Sequence, residues 1–164
     1  MAILTDREIE ELVKNGKLIS EKFNPRSLTP NGYDITIGSV RLGQQETQEK
    51  VSVGPMKHFL VSSKEFFNFP EDVVGQIWIR SSYARRGIIG SFGFIDAGFR
   101  GNLTLSFFNS SDGQVEFVPG DRIAQLVFSK LENSVAKSYG ERSGSYQDSR
   151  GVTLASPERR LSRK

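Results

Sequence analysis

Residues 93–111, GFIDAGFRGNLTLSFFNSS, join a glycine-flanked turn to a strand-like run, and this combination recurs along most of the chain. The run NLTLSFFN belongs to a series of short apolar or alternating segments that includes YDITIG, HFLVSS, VVGQIWIRSS and RIAQLVFSKL. Such segments are typical of β-strands, and turn signals such as Pro119-Gly120-Asp121 separate them. We therefore expect an all-β sandwich, barrel or jelly roll rather than alternating β/α units.

Both ends of the chain differ from this pattern. Near the start, Thr5 or Asp6 can cap a short helix through REIEELVKNG, with its apolar residues on one face and Gly16 at its end. Near the other end, residues 138–152 are polar and rich in glycine and serine, which predicts a mobile C-terminal arm. Residues 153–164 form a basic tail. We expect residues 1–164 to form a single domain.

The composition excludes several classes of protein. The chain has no cysteine and one histidine, His58, so a disulfide framework and a zinc-dependent hydrolase or deaminase are excluded. No apolar run approaches the roughly 20 residues of a membrane span, and the acidic start does not resemble a signal peptide. We expect a cytoplasmic protein without a membrane partner. Much of the net charge of +3 lies in the tail, so a nucleotide triphosphate is favoured over nucleic acid.

The segment RSSYARRG, residues 80–87, follows the apolar run GQIWI and offers two hydroxyls and three guanidinium groups. Arginine presents a planar fork to phosphate oxygens, and serine offers a hydroxyl and a backbone N–H. A helix that begins at Ser81 or Ser82 would also favour an anion. The alternative is a capped helix start with solvated arginines.

The glycines around Asp96 and Phe99 predict a tight hairpin in which backbone and ligand approach closely. Asp96 could orient or deprotonate a water there, and Phe99 offers an aromatic face to a sugar or base. The alternative is an aspartate that accepts hydrogen bonds within its own turn.

Two further strands carry a polar residue of interest. Gln125 lies among apolar residues in RIAQLVF, so it either satisfies neighbouring groups in the core or faces a polar site. Arg122, next to Asp121, fits a role in pinning the preceding turn. Asp34 begins a strand after a glycine turn and could contribute to a magnesium site through water; alone, it is a plain turn-to-strand signal.

The order of the motifs NGYD, RSSYAR, GFIDAGFRG and GDRIAQLVF, followed by the arm, resembles the dUTPase and dCTP deaminase superfamily. The resemblance extends over nearly the whole chain up to Val152. The segments LTDREIEELVKNGKL and FNPRSLTPNGYDITIG are similar to the deaminase branch, including its leading helix. The resemblance implies a homotrimer of distorted β jelly rolls with three active sites between subunits. It also implies a deoxynucleoside triphosphate substrate bound with Mg²⁺.

The resemblance also implies roles for individual residues. Asp96 matches the hairpin acid, which in dUTPases positions the water that attacks the α-phosphorus. Gln125 matches a glutamine near the phosphates and that water, and Asp34 matches an acid associated with hydrated Mg²⁺. The arm differs at Ser149, where the deaminase branch often has glutamine. The matching substrate-binding positions are Arg80, Ser81, Ser82 and Arg85 in the phosphate loop, Phe99 under the deoxyribose, Thr104 and Ser106 on the following strand, and Tyr139 and Tyr146 in the arm.

Ser106 is the main departure from the deaminase pattern. Deaminases of this family have a glutamate at the end of the corresponding run, which transfers protons while water adds at C4 and ammonia leaves. The run here is Thr104-Leu105-Ser106, and a serine hydroxyl is a poor general acid or base near neutral pH. The frame therefore resembles the deaminase branch but with the site of a monofunctional archaeal-type dUTPase.

The sequence thus favours a Mg²⁺-dependent dUTP diphosphatase in which Asp96 and Gln125 are catalytic. Two alternatives stay open. The protein could be a dCTP deaminase, alone or bifunctional, or a non-catalytic deoxynucleotide-binding module with the same fold.

Overall fold

The fold is organised around one long strand, β4 (Gly32–Leu42), in a computed structural model that describes residues 2–155. The first part of β4 pairs with β15 (Arg122–Lys130), and its second part pairs with β7 (Lys57–Ser63). The change of partner occurs near Gly38, where the register with β7 shifts. A Cβ atom at Gly38 would lie 2.8 Å from the Ser63 carbonyl oxygen, so glycine permits this close approach.

The other strands extend this arrangement, and every pairing between them is antiparallel. They are β1 (Ala2–Ile3), β2 (Leu18–Glu21), β3 (Leu28–Thr29), β5 (Gln45–Thr47), β6 (Val51–Val53), β8 (Phe66–Asn68), β9 (Val73–Ile79), β10 (Ile88–Ser91), β11 (Phe94–Ile95), β12 (Arg100–Gly101), β13 (Thr104–Asn109) and β14 (Val115–Phe117). The main sheet has the order β10-β13-β7-β4-β15-β9-β11, and β1, β3 and β5 pair at its sides. The order β12-β8-β2 and the pair β14-β6 complete the all-β fold, a distorted jelly roll as expected.

In the part of the chain that the structure describes, three short helices accompany the strands: α1 (Asp6–Lys14), α2 (Ser81–Ala84) and α3 (Tyr139–Arg142). Thr5 and Glu8 form a reciprocal capping box at the start of α1, since the Glu8 carboxylate accepts from the Thr5 backbone N–H at 2.8 Å. The predicted N-terminal helix is confirmed. A 3₁₀ turn also spans Pro25–Ser27. In residues 2–155, no helix has the length and apolar character needed to cross a membrane.

The alternation in NLTLSFFN is confirmed by the burial of strand β13. Leu105 and Phe107 are buried, and the Phe107 ring lies 5.4 Å from that of Phe59. Thr104 and Ser106 point to the opposite face and are only half-buried. A strand with one buried face and one accessible face can present polar side chains to a ligand without disturbing the core.

The predicted hairpin around Asp96 is wrong in its pairing. Strand β11 pairs with β9, whereas strand β12 pairs with β8 in a different sheet. The intervening turn is closed by the Phe99 backbone N–H, which donates to the Asp96 carbonyl oxygen at 3.2 Å. Residues 93–101 therefore form a corner between two sheets, which we call the acid corner. The strands on either side are only two residues long, so the corner's partners come from outside the segment.

Candidate active site in two halves

A buried carboxylate, Asp34, holds two arginines at the end of the main sheet. The Arg80 Nε atom lies 3.2 Å from Asp34 Oδ2, and Arg122 Nη1 lies 3.4 Å from the same oxygen. Arg80 also donates through Nη1 to the Arg122 carbonyl oxygen at 3.2 Å. Strand β15 lies between β4 and β9, so Asp34, Arg80 and Arg122 come from three adjacent strands or their ends. We call this group the arginine clamp.

Burial has a cost for the clamp carboxylate. Only 5% of Asp34 is exposed, and this burial raises the pKa of its carboxyl group above the usual range. The positive charges of Arg80 and Arg122 act in the opposite direction. A buried carboxylate requires such partners, so Asp34 fixes the position of both guanidinium groups.

Residues 80–85, which the sequence predicts to bind phosphates and which we call the phosphate loop, begin at Arg80 of the clamp. Ser81, Ser82 and Arg85 are exposed, and their side chains make no hydrogen bond or ion pair with other described residues. Arg80 differs because the clamp orients it. The loop therefore combines one oriented guanidinium with two hydroxyls and a second guanidinium that are available to an anion.

Gln125 lies on the same sheet face as the clamp. It is directly opposite Asp34 on β4 and opposite Trp78 on β9. Its Nε2 donates to Thr29 Oγ1 at 2.8 Å, which satisfies one part of the amide. No described residue donates to its Oε1, so this oxygen can orient a water or a substrate group. The predicted group of Asp34, Arg80 and Gln125 is thus brought together.

Asp96 lies in the acid corner and is exposed. Its carboxylate accepts no hydrogen bond from the residues that the structure describes. The alternative of an aspartate that satisfies its own turn therefore finds no support, because the turn closes on the Asp96 backbone carbonyl instead. An exposed, unpaired carboxylate at a glycine-rich corner is suited to contact a water or a substrate.

A cavity of about 500 Å³ opens beside the acid corner. Its walls combine an aromatic and aliphatic part with a polar part, and Asp96 is the carboxylate among the described residues that line it. The polar lining consists of Ser91, Asp96, Asn102, Thr104, Ser143, Ser145, Ser149 and Thr153. This composition is typical of sites for small organic ligands. The apolar and aromatic lining consists of Ile77, Phe92, Phe94, Ile95, Phe99, Leu103, Leu105, Tyr139 and Tyr146.

The two arm tyrosines reach this cavity within the same chain. Tyr139 packs edge-on against Phe99, with ring centroids 5.5 Å apart. Its backbone N–H donates to the Ala97 carbonyl oxygen at 2.9 Å, and its hydroxyl accepts from the Tyr146 backbone N–H at 3.0 Å. Phe99, Tyr139 and Tyr146 are therefore brought together, and the arm covers the acid corner of its own chain.

Several anchors of the arm were not identified from the sequence. Gln147 donates to the Gly98 carbonyl and accepts from the Arg100 N–H. Ser149, where glutamine was expected, lies next to Gly101, and its hydroxyl donates to the Asn102 carbonyl at 3.0 Å. Only the position of Gln147 within the tyrosine-rich arm could have suggested its role.

Arg150 forms a further anchor of the arm. It binds Glu21 through both terminal nitrogens, at 2.9 and 2.7 Å, and lies 3.8 Å over the Phe66 ring. A bidentate ion pair with cation–π contact is a specific attachment. The structure describes the arm in this docked position, and its mobility stays a prediction.

Ser106 has no acid beside it. Its cross-strand neighbours are Leu60 on β7 and Ser91 on β10, and its hydroxyl lies 2.9 Å from His58 Nε2. Ser106 does not line the cavity, although Ser91 and Thr104 do. The Thr104 hydroxyl accepts from the Thr153 backbone N–H at 2.9 Å. Within the described chain, a serine–histidine pair therefore occupies the position that we predicted to correspond to the deaminase glutamate.

The two groups of predicted residues do not meet within one chain. Ile95, next to Asp96, pairs with Gly75 near the start of β9, whereas Arg80 follows the last residue of that strand. At about 3.3 Å per residue, these positions are roughly 15 Å apart along the strand. None of the clamp or phosphate-loop residues lines the cavity. The site thus consists of a clamp half and a corner half.

The described residues do not form a complete metal site. No group of three or more histidine, cysteine, aspartate or glutamate side chains within residues 2–155 could hold a cation. Asp34, the predicted water-mediated ligand, is already engaged by two guanidinium groups. A magnesium ion would therefore depend mainly on phosphate oxygens that arrive with a nucleotide.

Comparison with known proteins identifies the relatives of this chain. Residues 39–131 match the model of the dCTP deaminase-like family. A dCTP deaminase of Thermococcus gammatolerans is 38% identical over 93% of this chain and 96% of its own length. A probable deoxyuridine 5'-triphosphate nucleotidohydrolase of Sulfolobus islandicus rod-shaped virus 1 is 33% identical over 93% of this chain and 98% of its own. One relative named as a deaminase and one named as a nucleotidohydrolase thus each match nearly the full length of this chain.

Solved structures show the same fold. A 2'-deoxycytidine 5'-triphosphate deaminase from Agrobacterium tumefaciens aligns with a TM-score of 0.67 and 20% identity, over 77% of this chain and 47% of that one. A variant of the Staphylococcus bacteriophage 80alpha dUTPase, in complex with dUpNHpp, aligns with a TM-score of 0.52 and 23% identity, over 77% of this chain and 83% of that one. A dUTPase variant from phage phi11 of S. aureus, described with a structural Mg(II) ion, aligns with a TM-score of 0.53 and 23% identity, over 74% of this chain and 92% of that one.

Proposed function

The chain belongs to the dCTP deaminase-like family, and we propose that within this family it is a dUTP diphosphatase that forms dUMP and pyrophosphate. The observation that carries the proposal is the contrast between Asp96 and Ser106. An unpaired, exposed carboxylate is present where a water could be activated, and no carboxylate adjoins the position where deaminases have their glutamate. Hydrolysis requires a carboxylate such as Asp96 and does not require one at position 106.

The two halves of the site divide the substrate between them. The cavity at the acid corner is aromatic and large enough for a nucleoside, with Phe99 at the sugar or base. The phosphate loop and the clamp offer cations and hydroxyls to a triphosphate. A deoxynucleoside triphosphate is the ligand class that needs both.

A second copy of the chain would join the two halves, in the homotrimer that the family resemblance implies. Trp78 and Phe94 are 61% and 53% exposed, and they lie beside Gln125 and the acid corner on the outer face of the main sheet. Exposed aromatic residues of this size are typical of protein interfaces. A neighbouring copy that packs there could place its acid corner beside this copy's clamp, or its clamp beside this copy's acid corner.

In the proposed reaction, Asp96 accepts a proton from a water that attacks the α-phosphorus. The bond from that phosphorus to the β-bridging oxygen breaks, and pyrophosphate leaves. Gln125 Oε1 helps to orient the water, and the phosphate loop stabilises charge that develops on the phosphates. Mg²⁺, carried in with the nucleotide, would neutralise further charge on the same oxygens.

Deamination of dCTP is the second candidate, and one contact favours it. The His58 imidazole lies 2.9 Å from the Ser106 hydroxyl, so a titratable group does stand near the position of the missing glutamate. The Thermococcus gammatolerans relative also carries the deaminase name. A third possibility, a deoxynucleotide-binding module without catalysis, has no observation in its favour beyond the shared fold.

Product analysis with dUTP and dCTP in parallel tests the proposal. With Mg²⁺, we expect pyrophosphate and dUMP from dUTP, and no ammonia above background from dCTP. Ammonia release from dCTP that disappears in His58→Ala would support the deaminase instead. Tight dUTP binding without pyrophosphate release would indicate a binding module.

A further inference from the structure

A basic groove adjoins the clamp, with which it shares Arg122. It has a volume of about 470 Å³ and is bounded by the segment after β2, the turn at residue 64 and the turn before β15. Two buried hydroxyl residues, Ser27 and Thr36, are part of its lining. The positively charged residues of the groove are Lys22, Arg26, Lys64 and Arg122.

Among residues 2–155, no carboxylate lines the basic groove. Arg122 is paired with Asp34 of the clamp, but Lys22, Arg26 and Lys64 form no ion pair with any residue in the described range. Like charges that face a common cleft repel one another, and their field concentrates anions there. The groove is thus electropositive without an internal counter-charge.

Three acidic residues adjoin groove cations in the chain. Asp121 precedes Arg122 but does not line the groove, and the other two are engaged elsewhere. Glu21 precedes Lys22 but binds Arg150 of the arm at 2.7 Å. Glu65 follows Lys64 but is fully buried, where it accepts hydrogen bonds from Thr36 N–H and Tyr33 OH. Glu65 lowers the positive potential of the groove in part, yet it forms no ion pair with the groove cations. The cations therefore retain their capacity for an external anion.

The backbone places two of these cations in defined positions. Lys22 has a φ of 63°, a left-handed conformation that is uncommon for a residue with a side chain. Arg26 lies in the 3₁₀ turn, where its backbone N–H donates to Asn24 Oδ1 at 3.1 Å. The segment between them is thus a folded loop and not an extended strand with solvated lysines.

We propose that the basic groove is a second binding site, separate from the phosphate loop, for a compact oligophosphate. Four cations around a cleft of this size match the charge of two or three linked phosphates better than that of a carboxylate or a single phosphate. The ligand could be free pyrophosphate or the triphosphate of a second nucleotide. The site does not depend on hydrolysis, so it is independent of the proposed function.

Arg122 gives this site a connection to the clamp. Its guanidinium lies 3.4 Å from Asp34, and the same carboxylate oxygen lies 3.2 Å from Arg80. An oligophosphate in the groove would compete with Asp34 for Arg122 and leave Arg80 as the main partner of that carboxylate. Occupancy of the groove would therefore change the position or affinity of the phosphate loop by a reciprocal coupling.

Calorimetric titration of the full chain with inorganic pyrophosphate tests the proposal. We compare wild type with the triple variant Lys22→Gln/Arg26→Gln/Lys64→Gln, which leaves Arg122 intact. The matched control, Arg7→Gln/Lys14→Gln/Lys57→Gln, removes the same charge from exposed positions elsewhere. Exposed substitutions of this kind have little effect on folding, and circular dichroism verifies this.

We expect wild type and the control to bind one pyrophosphate per chain that the groove variant binds at least about tenfold more weakly. Ser81→Ala/Ser82→Ala should retain this binding, since the phosphate loop is a different site. Equal pyrophosphate affinity in the groove variant and the control would overturn the proposal. A parallel titration with dUpNHpp identifies the source of the phosphates. If wild type and the control bind two equivalents of dUpNHpp and the groove variant binds one, the ligand is a nucleotide triphosphate. If the groove variant loses pyrophosphate binding but binds as much dUpNHpp as wild type, the ligand is the free anion.

Discussion

Two aspartates show how differently the halves of this site are built. Asp34 is buried in the clamp half, and two arginines hold it by the same oxygen. Asp96 is exposed in the corner half, and no described residue donates a hydrogen bond to its carboxylate. A carboxylate whose partners are all present serves to position those partners, whereas one without partners remains available for chemistry.

The halves also differ in what fixes their geometry. The clamp depends on strand register. Asp34 on β4 lies opposite Gln125 on β15, and Arg80 follows β9, the other strand that pairs with β15. The corner depends on a turn between two sheets and on an arm that lies over it. Strand register is rigid and buried, while the arm is attached mainly through exposed contacts. Substitutions should therefore affect stability more in the clamp and substrate affinity more in the corner and arm.

The largest effect is expected for Asp96→Asn. Loss of the general base should lower kcat by about 10²–10⁴-fold, while the affinity for dUpNHpp and the stability stay close to wild type. Steady-state assays with dUTP and titration with dUpNHpp measure both. Asp112→Asn, an exposed turn aspartate, is the matched control and should be fully active. Wild-type turnover in Asp96→Asn would exclude it as the base.

Arg80→Gln should reduce both activity and stability, which separates the clamp half from the corner half. Removal of one charged donor to the phosphates should lower kcat/KM by about 10²–10³-fold. The buried Asp34 then retains only Arg122, so we expect the free energy of unfolding to fall by about 1–2 kcal/mol. Urea denaturation measures this, with Arg86→Gln as the control. Unchanged stability would mean that Asp34 does not need Arg80.

Arg150→Gln tests whether the docked arm contributes to the corner half. The ion pair with Glu21 and the contact with Phe66 are lost, so the docked arm becomes less populated. We expect KM for dUTP to rise by about three- to tenfold with kcat nearly unchanged, because under the proposed function the arm would bind substrate and would not activate water. Arg142→Gln, also in the arm but without an ion pair among the described residues, should have no effect. A fall in kcat with constant KM would contradict this role.

Glu65 adjoins both halves and should have the smallest effect on activity. Its carboxylate accepts from Thr36 on β4, and its backbone carbonyl accepts from Asn102, which anchors the arm. Burial raises the pKa of Glu65 above 4.5, so the folded state binds this proton more tightly than the unfolded state. Its contribution to stability therefore decreases as pH rises from about 4.5 through the folded pKa.

Urea denaturation over a pH series measures that contribution. Glu65→Gln carries no titratable group, so its free energy of unfolding should fall less than that of wild type as pH rises from about 4.5 to 8. The same slope in both proteins would show that burial does not control this carboxyl group. Activity with dUTP should remain within about threefold of wild type.

The sequence allows the strands to be predicted because each is a local pattern. Leu105 and Phe107 alternate with polar residues, and the Thr5–Glu8 capping box is contiguous in the chain. The motif order also identifies Asp34, Arg80 and Gln125, although their proximity depends on the pairing of three distant strands. The acid corner could not be predicted correctly, because β11 and β12 pair with strands far away in the sequence.

Other contacts also leave no local trace in the sequence. The ion pair between Glu21 and Arg150 spans most of the chain, and the cations of the basic groove come from three separate segments of the chain. The contact of His58 with Ser106 depends on the register of β7 and β13. Long-range pairing of this kind is fixed by the packing of the whole domain and not by the residues next to each position.

The most direct test of the central claim, that the two halves of a dUTP diphosphatase site come from different copies of the chain, is subunit complementation. Asp96→Asn retains the clamp half, and Arg80→Gln retains the corner half, so each variant alone should be nearly inactive. If they are denatured together at equal amounts and refolded, random assembly should restore about a quarter of wild-type pyrophosphate release from dUTP, since adjacent subunits can each supply one intact half. Activity no greater than the mean of the two separate variants would contradict the account.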